Sequence, residues 1–480
     1  MTRKIHHFNS IGDTVRTNRP FDTRDLRAKD IAHVIHPWGF LKSADKQDTL
    51  LLADSEGIYV HDTDGNAFID GPGGMWCVQL GYGNEAMAQA IADQVRRMTY
   101  YSPFGKLSTP PHAELGAKLA ELAPGDLERA FFATGGSTAV DSAIRFVWFY
   151  FNVTGRPDKK AILTRENAYH GSTYLAASLC GKQRDRTYMD LATDRIHHLR
   201  SPNPYRRPEG MTEEAFRDLC VRELEDKILE LGPDKVACFI AEPILASAGV
   251  IVPPQGYHAK TLEVCRRHGV LYISDEVVTG FGRLGHFFAS EPVFDLVPDI
   301  IICAKGLTSG YIPLGAFIAA QRLYQDILDA KAETAVFSNG FTYSGHPVAC
   351  AAALTTIEIM ERQDICGHVR AIGPHFQERL SALGELPLVG DARGIGLMGC
   401  VEMVKDRASK EPFPWEAGVG AKVDRRCQDK GLILRPMGHL CVFSPPLVIQ
   451  PAQIDRMFDI MHQAIVETQD ELVRDGVWKA

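Results

Sequence analysis

The chain has 480 residues, 45% hydrophobic and 23% charged, the proportions of a globular protein of two or three domains that needs no disulfide staples. Its 52 Lys and Arg against 60 Asp and Glu give a net charge of −8, which excludes a general binder of nucleic acid or anionic membrane and still allows one concentrated positive site. Eleven cysteines without a CxxC pair argue against a zinc ribbon or a disulfide framework and read as reduced thiols of a cytoplasmic protein.

In chain order, the opening MTRKIHH lacks the apolar stretch of a signal peptide, and no later run approaches the ~20 apolar residues of a membrane span. Residues 1–45 are polar and irregular apart from HPWG at 36–39. Residues 57–70 hold two short apolar runs around an Asp-Thr-Asp-Gly turn, which predicts a hairpin. From about 110 to 345, short apolar runs alternate with helical periods: RAFFAT at 129–134, KAILT at 160–164, VACFIA at 236–241, VLYIS at 270–274 and DIIICA at 299–304. Such alternation predicts an α/β unit with a mainly parallel sheet. Residues 184–212 are expected to be a long surface excursion. Beyond 345 the pattern predicts helices over 348–362 and 452–473, with strands over 432–435 and 440–444. These elements predict a smaller α+β domain completed by the N-terminal hairpin, with boundaries at 1–75 (N-terminal segment), 76–345 (large domain) and 346–480 (small domain).

The most informative residues stand directly after the buried strands. VACFIA runs into Glu242, VLYIS into Asp275 and DIIICA into Lys305. If these strands are parallel, all three groups share the carboxyl edge of the sheet, where open α/β folds bind ligands. A carboxylate there can hold a heterocyclic nitrogen protonated, and a buried lysine loses basicity and becomes a nucleophile. A lysine Schiff base with an aspartate partner for a pyridinium nitrogen is the signature of a pyridoxal phosphate site. RAFFAT runs into Gly135, Gly136, Ser137 and Thr138 before a helical pattern, a turn suited to a phosphate. Tyr169, after KAILT, is placed to stack on a flat ring.

Two patterns are decoys. GIGLMG at 394–399 fits the dinucleotide fingerprint, but CVEMVK after it continues as a strand and no helix opens there. His33, His36 and the pairs His6-His7 and His197-His198 have no converging carboxylate or Cys pattern, so they read as surface or packing residues and no metal is expected.

Together these segments resemble the class III aminotransferases of fold type I, most closely the ω-amino acid:pyruvate (amine) transaminases. The matching stretches run from DGPGGMWCVQLGYG at 70–83 through GGS at 135–137, NAYHG at 167–171, AEP at 241–243, DEVVTGFGR at 275–283 and AKGLTSGYIP at 304–313 to FTYSGHP at 341–347. The resemblance implies pyridoxal 5′-phosphate as cofactor, carried by Lys305, with Asp275 at the pyridine nitrogen. It places Val277 and Tyr169 on the two ring faces, Gly136 and Ser137 at the phosphate with Thr342 of the partner subunit, and Glu242 near the ring. Trp76 and Phe104 of the partner subunit are implied as pocket walls, Tyr169 as a substrate contact, and Arg435 as the mobile arginine that binds a substrate carboxylate. Where many relatives have Ser-Gly-Ser-Glu, this chain has Gly135-Gly136-Ser137-Thr138, which rearranges the first helical turn.

The implied activity is ping-pong transfer of an amino group from a primary amine or ω-amino acid to a keto acid, pyruvate giving alanine. The implied assembly is a homodimer with shared active sites, or a dimer of such dimers. Two alternatives stay open on the same frame: another pyridoxal phosphate reaction (a decarboxylating transaminase or an aminomutase), or a non-catalytic binding protein.

Overall fold

The computed structural model describes residues 21–42 and 49–479; the opening segment with His6-His7 lies outside the described residues. The chain enters through the helix Thr23–His33 and then forms β1 (Leu52–Glu56), β2 (Tyr59–Asp62) and β3 (Ala67–Asp70), an antiparallel series that contains the expected hairpin.

Seven strands build the central sheet: β4 (Leu127–Ala133), β5 (Ala161–Arg165), β6 (Ile196–Leu199), β7 (Val236–Ala241), β8 (Leu271–Asp275), β9 (Ile300–Cys303) and β10 (Gly315–Ala320). Their order is β4-β10-β9-β8-β7-β5-β6. The ladders from β6 through β9 are parallel, and β10 runs antiparallel to both of its neighbours, β4 and β9. Every residue of β7, β8, β9 and β10 is buried, as continuous apolar runs covered on both faces should be.

Two strands depart from the expectation. β6 lies inside the stretch expected as an excursion, and its Ile-His-His-Leu pattern carries neither alternation nor a continuous apolar run. The pair His197-His198 therefore sits in an edge strand. β10 has the weak β-propensity of GAFIAA and follows β9 through a glycine-rich loop, so nothing local announces it.

The C-terminal part adds β11 (Val389–Ile395), β12 (Met398–Asp406), β13 (Glu411–Pro412), β14 (Leu432–Ile433), β15 (Arg435–Met437) and β16 (Leu440–Phe443). An antiparallel sheet runs β11-β12-β16-β15, with β13 on β12. The glycines of GIGLMG make the β11–β12 hairpin, in which Gly394 faces Gly399 and Ile395 faces Met398. Residues 432–435, expected as one strand, split at Leu434: β14 joins β3 in parallel, while Arg435 starts β15 in the other sheet. One core cluster runs from Ile58 and Ile69 through β9 and β10 to Phe458 and Leu472 on the last helix, Pro451–Arg474.

Candidate active site

Because β7, β8 and β9 are parallel neighbours, their carboxyl ends deliver Glu242, Asp275 and Lys305 to one edge, as the apolar runs before them imply. Lys305 opens a short 3-10 turn, Lys305–Thr308, with φ +45°, a left-handed conformation uncommon for a residue with a side chain. Its side chain is half-buried, and none of the described residues accepts a hydrogen bond from Nζ. Burial lowers its basicity, and Arg435 adds to that, while Asp275, Cys77 and Glu242 pull the other way. The net direction favours the neutral, nucleophilic amine.

Asp275 is buried and tied down on both oxygens: Oδ2 lies 2.7 Å from His170 Nδ1, and Oδ1 accepts from Val277 N at 3.2 Å. The other nitrogen of His170 lies 3.3 Å from Thr164 Oγ1 on β5. Glu242 accepts from Tyr169 N at 3.0 Å, and burial raises its carboxyl above the usual range. The adjacent carboxylate Glu276 does something else. Its oxygens take Thr279 Oγ1, the amides of Ala289 and Ser290, and Ser290 Oγ, so it staples the loop after β8.

The helix Gly136–Val153 starts after Gly135 without a side-chain cap, leaving its first amides open to an anion. A Cβ at Gly136 would stand 3.1 Å from Val277 Cγ1, closer than ordinary contact, so glycine eases the close approach of this backbone to Val277. Ser137 Oγ accepts from Ser172 N at 3.0 Å and keeps its own hydrogen to donate. An uncapped helix start, a free hydroxyl donor, a lysine of lowered basicity without a hydrogen-bond partner among the described residues and an anchored aspartate are what pyridoxal 5′-phosphate requires. The residues present fit the group.

The pocket residues fall into two groups. Trp76 is 3% exposed and clusters with Ile244, Met398 and Val442. Arg435 Nη1 lies against Met75 Sδ, and its guanidinium acts electrostatically on Lys305 and Tyr169. The Tyr169 hydroxyl is 3.1 Å from Ser172 Oγ, and its ring meets Trp38 edge-on at 5.9 Å. Thr342 and Phe104 form the second group: Tyr100 OH donates to Thr342 O at 2.5 Å, and the Phe104 ring packs on Gly340. Both are exposed in the single chain.

Sequence reasoning gave no role to His170, although it lies inside NAYHG at 167–171. It also missed Arg165, which ends β5, is fully buried and donates to Glu242 O at 2.6 Å. A charged residue ending KAILT was the available signal for Arg165; His170 offered only its place between an aromatic and a glycine. Among the described residues no group of three or more His, Cys, Asp or Glu side chains is arranged to hold a metal ion, and no helix is long and apolar enough to cross a membrane. All eleven cysteines are free.

Residues 42–465 match the family described as Aminotransferase class-III. The chain is 38% identical over 447 residues to the putrescine–pyruvate aminotransferase of Pseudomonas aeruginosa, covering 93% of this chain and 97% of that one. It superposes with a TM-score of 0.90 on a thermostable (S)-enantioselective omega-transaminase from Thermomicrobium roseum, at 38% identity over 94% of this chain and 100% of the other. The TM-score is again 0.90 for the omega transaminase of Pseudomonas jessenii in complex with PMP, at 36% identity over 93% and 98% of the two chains. The match takes in the strands that end at Glu242, Asp275 and Lys305 and the glycine turn before them, so the chain belongs to the class III aminotransferases, which work with pyridoxal 5′-phosphate.

Proposed function

We propose that this aminotransferase takes an amino group from a primary amine or ω-amino acid and delivers it to pyruvate, releasing alanine. Lys305 carries the reading: a half-buried amine of lowered basicity, with no hydrogen-bond partner among the described residues, at a sheet edge it shares with Asp275 and Glu242. The pyruvate–amine pairing is supported by the putrescine–pyruvate aminotransferase relative.

Pyridoxal 5′-phosphate, when bound, supplies the carbonyl that holds the amino group between substrates and the ring that withdraws electrons. The chain supplies the rest. Lys305 Nζ is placed to take the proton from the amine-bearing carbon of the donor and pass it to the cofactor carbon that would keep the amino group, and to carry out the reverse transfer to the acceptor carbon in the second half of the cycle. Asp275, held by His170 and the Val277 amide, presents its carboxyl group to the pyridine nitrogen. Gly136, Ser137 and the free helix amides bind the phosphate, joined by Thr342 of the partner subunit. Val277 and Tyr169 enclose the ring, and Glu242 fixes the backbone of Tyr169. Trp76 and Phe104 of the partner subunit bound the pocket, and Arg435 binds the carboxylate of the acceptor and withdraws for an uncharged or cationic amine tail. A cytoplasmic homodimer completes the reading, supported by the free thiols and by the exposure of Thr342 and Phe104.

The test is a donor panel with pyruvate, scored by alanine formed and carbon dioxide released. Alanine without carbon dioxide is expected. Carbon dioxide in step with amine consumption would turn the reading to a decarboxylating enzyme, and no alanine from any donor would remove it.

A further inference from the structure

Residues 71–80 touch both ends of the site through contacts that the roles above do not use. Gly73 and Gly74 have φ +57° and +64°, and Trp76, with a bulky side chain, has φ +64°. Met75 between them sits at φ −140°, ψ 58°. Backbone in this region persists only where its surroundings overdetermine it.

Three sets of contacts do so. Asp70 Oδ2 accepts from Gly74 N at 2.7 Å and from Tyr82 OH at 2.6 Å. Ser444 donates through N to Gly71 O at 2.8 Å and through Oγ to Pro72 O at 2.7 Å. Gly71 N donates to Ile433 O at 3.1 Å. Ile433 and Ser444 flank the β15–β16 pair that carries Arg435, so the turn is stapled to the strands on either side of that arginine. At the other end, Gln79 N and Leu80 N donate to Ser309 Oγ at 3.0 and 2.9 Å, and Ser309 closes the turn that Lys305 opens. The segment thus spans from Arg435, which its Met75 backs, to Lys305, within electrostatic reach of its Cys77.

We infer that Asp70 is a positioning residue that sets acceptor selectivity: its carboxylate locks the turn so that Met75 backs Arg435, and Tyr82 holds that carboxylate. The inference rests on Arg435 binding the acceptor carboxylate. A group with only acceptor atoms suits the place, because a single oxygen receives two donors. Asparagine retains such an oxygen, whereas alanine strands the Gly74 amide and the Tyr82 hydroxyl and frees the turn.

The experiment compares pyruvate with a short aldehyde that lacks a carboxylate, in wild type, Asp70→Ala, Asp70→Asn and Tyr82→Phe. Cofactor affinity is measured by absorbance titration, and amide exchange is followed across residues 71–76. In Asp70→Ala we expect KM for pyruvate to rise about tenfold, with kcat/KM for the aldehyde held within about twofold. Cofactor affinity should stay unchanged and Gly74 exchange should quicken. Asp70→Asn should recover most of the pyruvate KM, and Tyr82→Phe should fall between. Equal losses with both acceptors, or faster exchange without any change in pyruvate KM, would overturn the inference. If Arg435→Ala leaves the pyruvate KM of wild type untouched, the fault lies with the role given to Arg435 instead.

Discussion

A lysine at the end of a fully buried strand needs a reason, since an ammonium placed there without a partner is costly. The three ionisable strand ends were legible because each follows a mostly apolar run, a contrast visible without coordinates. Lys305→Ala should lower alanine formation at least ~10³-fold, and borohydride reduction of the loaded wild type followed by peptide mapping should place the label on Lys305. The string Asp275-Glu276 by itself does not say which carboxylate faces the site; the family resemblance is what singled out Asp275. Direction decides it, and the four donors around Glu276 consume that side chain within its own loop. His170 was equally hidden, because a lone histidine after an aromatic carries no period. Its 2.7 Å contact with Asp275 makes it a positioning residue. His170→Phe should weaken cofactor affinity and lower kcat by about tenfold to a hundredfold, read by absorbance titration and single-turnover rates.

Among the elements, the helices at 347–362 and 451–474 and the parallel strands could be read from period and burial pattern, whereas β10 could not. A strand that reverses direction between two neighbours is fixed by long-range pairing. Its first residue also explains the weak composition: a Cβ at Gly315 would collide with the carbonyl oxygen of Gly135. Gly315→Ala should therefore disturb the phosphate turn from outside, costing about 1–3 kcal/mol in stability and weakening phosphate affinity, read by denaturant melts and cofactor titration.

The helix Val419–Asp429 bears on the position of Arg435 through Asp424, which accepts from Leu434 N and Gln428 Nε2, both at 2.8 Å. Burial raises this carboxyl from 3.8 to about 6. The folded chain then binds a proton that the unfolded chain has released between pH ~4 and ~6. Its contribution is fully present below that window and is lost as pH rises through it, by up to about 3 kcal/mol. Asp424→Asn keeps an acceptor for Leu434 N and accommodates Gln428 by an amide flip. Its melting temperature relative to wild type should rise between pH 5 and pH 8; an unchanged difference would show that the carboxyl does not titrate in that window.

At the scale of the whole molecule, the single chain leaves Phe104 51%, Tyr343 59% and Val336 73% exposed, in segments joined by the Tyr100–Thr342 hydrogen bond. Exposed apolar side chains of this kind suit the partner-facing place proposed for Phe104 and Thr342. Composition could not announce it, because an interface phenylalanine and a core phenylalanine look alike in a sequence. Sedimentation at micromolar concentration should give twice the chain mass. A fully active monomer would remove Phe104 and Thr342 from the site they are proposed to complete.

The parallel pairing of β3 with β14 has a consequence for how the protein is made. β3 ends at Asp70, and its outer partner begins at Leu432, 362 residues later (432 − 70). At roughly 5–20 residues per second, translation supplies that partner roughly 20–70 s after β3 itself. During this interval the nascent chain carries a hairpin with an unpaired edge, which neighbouring chains on the same message can match. All seven strands of the central sheet lie before Gln321 and can pair with one another before β14 is made. Slowed translation between residues 70 and 432 therefore lengthens the period in which this protein can aggregate.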